Sequence, residues 1–100
     1  MKTRIFDNID DYSEYYENHE HEPNDVDIVK GGNNECADGE FECKSWKTAV
    51  KRLAKATGWD WILGELECEE HRNMFLPDCD SVQLECIDEN TWYVAARQYI

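Results

Sequence analysis

The sequence has no apolar run of the roughly 20 residues needed to cross a bilayer as a helix. Its opening, Met1-Lys2-Thr3-Arg4-Ile5-Phe6, runs straight into Asp7-Asn8-Ile9-Asp10-Asp11, without the apolar stretch of a secretory leader. It has only two prolines, three serines and three histidines. There is no Gly-rich phosphate loop, no nucleophile elbow and no histidine in an ordered apolar setting. Each serine has a bland position: Ser13 in an acidic helix, Ser45 at a helix cap and Ser81 at a strand start. These gaps argue against an enzyme and against a membrane-spanning protein. The five cysteines are an odd number, so they cannot all pair within one chain. Free thiols in a reducing, cytoplasmic compartment are the simplest expectation.

Positive charge is the next scarcity. Ten Lys and Arg face 23 Asp and Glu, for a formal net charge of −13. Such a chain repels nucleic acid and anionic membranes and favours a basic partner. The imbalance is uneven. Residues 1–43 carry 13 acids against Lys2, Arg4 and Lys30, whereas residues 44–58 carry Lys44, Lys47, Lys51, Arg52 and Lys55 with no acid. Residues 59–100 return to ten acids against Arg72 and Arg97.

What is present suffices for one folded domain spanning 1–100. The hydrophobic share is 41%, with four Trp, five Tyr and three Phe, enough to fill a small core despite the acidity. Lys2 to Phe6 reads as a short strand. Asn8 caps a helix on which Ile9, Tyr12, Tyr15 and Tyr16 recur at helical spacing, fraying near Asn18. Val26 to Lys30 reads as a strand. Gly31-Gly32-Asn33-Asn34 is a turn, and the stretch from there to Gly39 reads as a flexible loop. Glu40 to Cys43 alternates like a half-buried strand. Ser45 caps a second helix whose apolar face is Trp46, Ala49, Val50, Leu53 and Ala54, ending at Gly58. Trp59 to Glu67 reads as a strand, Glu69 to Asp80 as a loop, and Ser81–Ile87 with Thr91–Tyr99 as a hairpin. The order β-α-β-β-α-β-β-β predicts an α+β fold: a mainly antiparallel sheet with two helices on one face.

Three groups of residues could carry function. Cys68, His71, Cys79 and Cys86 are candidate zinc ligands. However, the second pair is seven apart, wider than a zinc knuckle, and Cys86 alternates with Val82 and Leu84 as a core residue would. No metal or cofactor is therefore expected. The second group is an acidic row. Carboxylates at i, i+3 and i+4 on a helix stand about 5–6 Å apart, so a face built from Asp7, Asp10, Asp11, Glu14 and Glu17, extended by Glu20, Glu22, Asp25 and Asp27, could present a continuous row. Duplex DNA carries one negative charge per roughly 1.7 Å of axis, so such a row could occupy a groove built for nucleic acid. Tyr12 and Tyr16 between the acids could add contact area. The third group is the basic stripe Lys44, Lys47, Lys51 and Lys55 on the second helix, which would either pair with the acids or form a separate patch.

Gly39-Glu40-Phe41-Glu42-Cys43-Lys44-Ser45, followed by Ala49 and Ala54, is a strand running into a capped helix. In that step, and in its small size and acidity, the chain resembles phage and mobile-element inhibitors of host defence. These include anti-CRISPR proteins, DNA-mimicking anti-restriction proteins and inhibitors of uracil-DNA glycosylase. The resemblance implies stoichiometric inhibition of a Cas effector or a DNA-modifying enzyme, with no direct nucleic-acid contact. The alternative is a structural or regulatory module that binds through exposed aromatics such as Trp59, Trp61 or Tyr99, with or without stabilisation by zinc. Replacing Asp10, Glu14 and Glu17 separates the two, and neither reading sets the oligomeric state.

Overall fold

The computed structural model describes residues 2–67 and 81–99. Its elements are β1 (Thr3–Phe6), α1 (Ile9–Tyr16), β2 (Val26–Lys30), β3 (Asn34–Glu42), α2 (Trp46–Thr57), a 3-10 helix (Asp60–Glu67), β4 (Ser81–Asp88) and β5 (Thr91–Tyr99). The strands form one sheet in the order β1-β2-β3-β5-β4. β1 runs parallel to β2, and the other three pairings are antiparallel. The α+β class and the mainly antiparallel sheet are as the sequence predicts. Among the described residues, no helix is long and apolar enough to cross a membrane.

Helix α2 forms where its pattern requires. The Ser45 side chain accepts a hydrogen bond from the Lys47 amide, and Gly58 closes the helix at φ 76°, a left-handed conformation that costs glycine little. Ala49, Val50, Leu53 and Ala54 are buried. They pack on Val26, Ile28, Ala37, Phe41, Val82, Leu84, Val94 and Ala96, which alternate along the strands onto one face of the sheet.

Three expectations about the elements are corrected. Residues 60–67 form a 3-10 helix, not a strand. With three residues per turn, Trp59 and Ile62 fall on one side. The Ile62 amide bonds to the Trp59 carbonyl, Ile62 is fully buried, and Trp59 and Trp61 pack against the core. Strand β3 begins at Asn34, so the expected flexible loop is instead the first half of a nine-residue strand. Its Asn, Asp and Gly are poor strand formers, but they are held between β2 and β5.

The third correction concerns the helices, which lie on opposite faces of the sheet. Asp27 alternates with the core residues Val26 and Ile28, and it is on the Asp27 side that α1 attaches, through Tyr16. The topology explains this. β3 and β4 are both antiparallel to β5, so β1-α1-β2 and β3-α2-β4 are each crossovers between parallel strands. Both step the same way across the sheet, but β3 points opposite to β1. Two right-handed crossovers then place their helices on opposite faces.

The expected loop at 69–80, and with it Cys68, His71 and Cys79, lies outside the described residues. Cys86 is exposed rather than in the core, because it stands beyond Val82 and Leu84 near the end of edge strand β4.

Candidate functional site

Helix α1 has no buried residue, so it is fixed by contacts at the sheet surface. The Asn8 side chain accepts from the Asp11 amide at 2.8 Å, capping the first turn. Phe6 on β1 is ringed by Tyr12, Tyr15 and Tyr16, with ring centroids 5.5, 5.6 and 6.4 Å away. The Arg4 guanidinium lies 5.2 Å from the centre of the Tyr15 ring. It pairs with Asp25 at 2.9 Å and with Asp27 at 3.5 Å. The Tyr16 hydroxyl donates to Asp27, a hydrogen bond that ties the last turn of α1 to β2. His21 stacks on Tyr16 and His19 on Tyr15.

This arrangement sorts the acids. Asp7, Asp10, Asp11, Glu14, Glu17, Glu20 and Glu22 are all exposed. Asp10, Glu14 and Glu17 form the outer stripe of α1, following the 3.6-residue period. Among the described residues, no ion pair involves any of the seven. Asp25 and Asp27 do not extend the row: both turn inward to Arg4, and Asp27 is 3% exposed. Burial works against ionising Asp25, but the Lys2 amide and Arg4 outweigh it and hold its carboxyl below the usual range. Tyr12 and Tyr16 sit on the side of the helix away from the stripe, because the same period that aligns the acids points them at the sheet.

The lysine stripe does not neutralise the acids either. Lys47, Lys51 and Lys55 are exposed on α2, across the sheet from α1, and Lys44 is exposed just before its N-cap. Lys47 lies over the Trp46 ring at 5.6 Å. The exposed aromatics expected of an apolar module are partly used by the fold, since Trp61 donates its indole N–H to Gln98 at 2.8 Å.

Helix α1 covers the β1–β2 side of its face and leaves the β3–β5 side open. The result is a groove of about 740 Å³. Ile9, Tyr12, Val29, Cys36, Tyr93 and Ala95 give it apolar walls, and Asp38 contributes a carboxylate. A smaller cleft of about 180 Å³, lined by Tyr12, His21, Asp27, Asp38 and Tyr93, adjoins it. Asp38 stands directly opposite Asp27 in the β2–β3 register and accepts a hydrogen bond from the Tyr93 hydroxyl at 3.0 Å. Burial raises the Asp38 carboxyl above its ordinary value, the Tyr93 bond pulls it back, and the Asp27 charge raises it further. Burial pushes the Tyr12 phenol up to about 12 and also raises Tyr93 and the Cys36 thiol. At neutral pH the phenols and the thiol are uncharged around the Asp38 carboxylate, and Asp7 and Lys30 are the other charged groups that line the groove. Sequence reasoning missed Asp38 because it lies in the stretch read as a loop. The polar–apolar alternation from Cys36 through Ala37, Asp38 and Gly39 to Phe41 was the available signal.

The raised Asp38 carboxyl fixes a pH dependence. A carboxyl raised on folding contributes stability that is fully present below its unfolded value, near pH 4, and is lost as pH rises through the folded value. Asp38→Asn is thus expected to stabilise the protein at pH 7. The gain should shrink toward zero near pH 4, as read from urea midpoints of the two proteins. A substitution that destabilised equally at both pH values would contradict this account.

No family model matches the chain, and no curated protein or solved structure shows significant similarity to it.

Proposed function

We propose that this domain is a non-catalytic inhibitor that binds and blocks a nucleic-acid-processing host-defence complex, in the manner of anti-CRISPR proteins, through the acidic face built on α1. The observation that carries this reading is the separation of charge across the sheet. Seven exposed acids stand on one side without an ion-pair partner among the described residues, and the lysines that could have neutralised them stand on the other. Side-chain contacts of Tyr12, Tyr15 and Tyr16 fix α1, so the stripe is presented on a positioned helix. A preorganised row of carboxylates competes for a basic groove at low entropic cost. The setting would be the cytoplasm of a bacterial cell.

The test is capture of partners from a bacterial lysate on the tagged protein, washed in parallel at low and high salt. A nucleic-acid-processing enzyme held at low salt and released at high salt is expected, because exposed charges are screened within about 8–10 Å at physiological ionic strength. Neutralising the stripe with Asp10→Asn, Glu14→Gln and Glu17→Gln together is expected to weaken that binding roughly tenfold or more. Binding that ignored both salt and the triple substitution would remove the electrostatic mimic and leave an apolar interaction module.

A further inference from the structure

The groove beside α1 is not accounted for by the acidic stripe. It has the size of a specific binding site, about 740 Å³ against a usual range of roughly 300–1,000 Å³. Ile9 stands at its wall 60% exposed, an unusual position for a large apolar side chain on so acidic a helix. Asp7, one of the exposed acids, also lines the groove, so the apolar slot and the charged face share a border. An apolar centre rimmed by charge is the usual anatomy of a protein interface.

The chemistry inside narrows the occupant. Apolar walls suit an aliphatic stem. The Tyr12 and Tyr93 rings offer faces to a cation, and Asp38 offers a carboxylate whose ionisation burial opposes and a bound cation would favour. Lys30 also lines the groove, but at the far end. Its register partner Glu35 lies three residues from Asp38, about 10 Å along β3. Lys30 therefore does not supply the cation at Asp38; the nearer group is His21, whose charged form favours the Asp38 carboxylate from the adjoining cleft, where it stacks on Tyr16 and leaves the groove itself open. A guanidinium stacks on an aromatic ring and pairs with a carboxylate at once, whereas an ammonium is a compact charge held tightly by water.

We propose that this groove seats an arginine side chain of the basic partner, its stem along Ile9, Val29 and Ala95 and its guanidinium against Asp38 between Tyr12 and Tyr93. The inference rests on the reading of the domain as a binder of a basic protein. It makes the groove the anchor and the outer stripe the means of attraction.

The experiment needs no partner. The blocked tripeptide acetyl-Leu-Arg-Leu-amide is titrated into the full chain, and binding is followed by NMR shifts of Val29, Tyr93 and Ala95. The same peptide with citrulline, which keeps the shape and lacks the charge, is the control. The arginine peptide is expected to shift these groove residues and the citrulline peptide to bind roughly tenfold more weakly. Asp38→Asn should weaken the arginine peptide by a similar factor. Ile9→Ser, a change at an exposed position that leaves the core untouched, should weaken it several-fold. The triple substitution of Asp10, Glu14 and Glu17 should leave the groove shifts within about twofold. Shifts confined to the outer stripe, or equal binding of the citrulline peptide, or no loss in Asp38→Asn, would overturn the arginine seat. Peptide binding in the groove alongside failed capture of any nucleic-acid-processing partner would sink the proposed function and leave the seat standing. Salt-sensitive capture that Asp38→Asn and Ile9→Ser leave unchanged would do the reverse.

Discussion

Replacing Arg4 with alanine is expected to destabilise the protein by about 3–5 kcal/mol, the cost of leaving a buried carboxylate without its cation. The side chains of Arg4, Asp25 and Asp27 are 18%, 11% and 4% exposed, so solvent cannot take over the lost pairing. Asp27 keeps its bond from Tyr16, but a neutral hydroxyl does not replace a guanidinium. Burial alone would weaken the Arg4 charge, yet Asp25 and the neighbouring tyrosines outweigh it and raise the guanidinium further above its ordinary value. Arg4 is thus charged throughout any accessible pH. Urea unfolding of Arg4→Ala, Asp27→Asn and the double variant checks this. Asp27→Asn is expected to recover much of the loss in the Arg4→Ala background, giving a coupling of at least about 1 kcal/mol. Additive losses would mean that the pair does not act as a unit.

The second large effect lies on the other face. Phe41 is fully buried near the C-terminal end of β3, and Phe41→Ala is expected to cost about 3–5 kcal/mol through lost transfer energy and the cavity left behind. Its ring packs over Gly39: a Cβ added there would lie 3.0 and 3.1 Å from two ring carbons. The same Cβ would come within 2.8 Å of the Asp25 backbone carbonyl, which cannot move aside as a side chain can. Gly39→Ala is therefore expected to destabilise both on its own and when combined with Phe41→Ala. Trp92 is the register partner of Phe41, and Trp46, Trp59 and Trp61 pack against the same core, so tryptophan fluorescence during urea unfolding follows the loss of this core. Full rescue of Gly39→Ala by Phe41→Ala would show that the ring, and not the backbone, sets the requirement for glycine.

The elements were legible wherever local chemistry and tertiary packing agreed. Helix α2 could be read from Ser45 to Gly58 because its cap, apolar stripe and left-handed stop are all encoded nearby. The hairpin of β4 and β5 followed from plain alternation along Ser81–Ile87 and Thr91–Tyr99. The sequence misled where neighbours decide. Trp59 and Ile62 carry a three-residue period over too short a span to stand out from a strand pattern. Asn34 to Gly39 has the composition of a loop and becomes a strand because β2 and β5 pair with it on both sides. The placement of α1 was derivable, but only after strand directions were known. The candidate site divides the same way. The exposed stripe of Asp10, Glu14 and Glu17 follows from helical periodicity. The inward turn of Asp25 and Asp27, and the groove around Asp38, depend on long-range pairing that no local pattern carries.

The absence of buried residues in α1 also bears on how the molecule opens. The core lies between α2 and the other face of the sheet, and β1, the strand next to α1, is an edge strand held by β2 alone. What fastens this outer leaf is a ring of aromatic contacts, one cap and the Arg4 pairs. Its detachment therefore costs less than global unfolding, and the leaf can open as a unit of its own while the core persists. A partner that grips the acidic helix binds the closed leaf, so its binding raises the free energy of this local opening while leaving that of the core's own fluctuations unchanged.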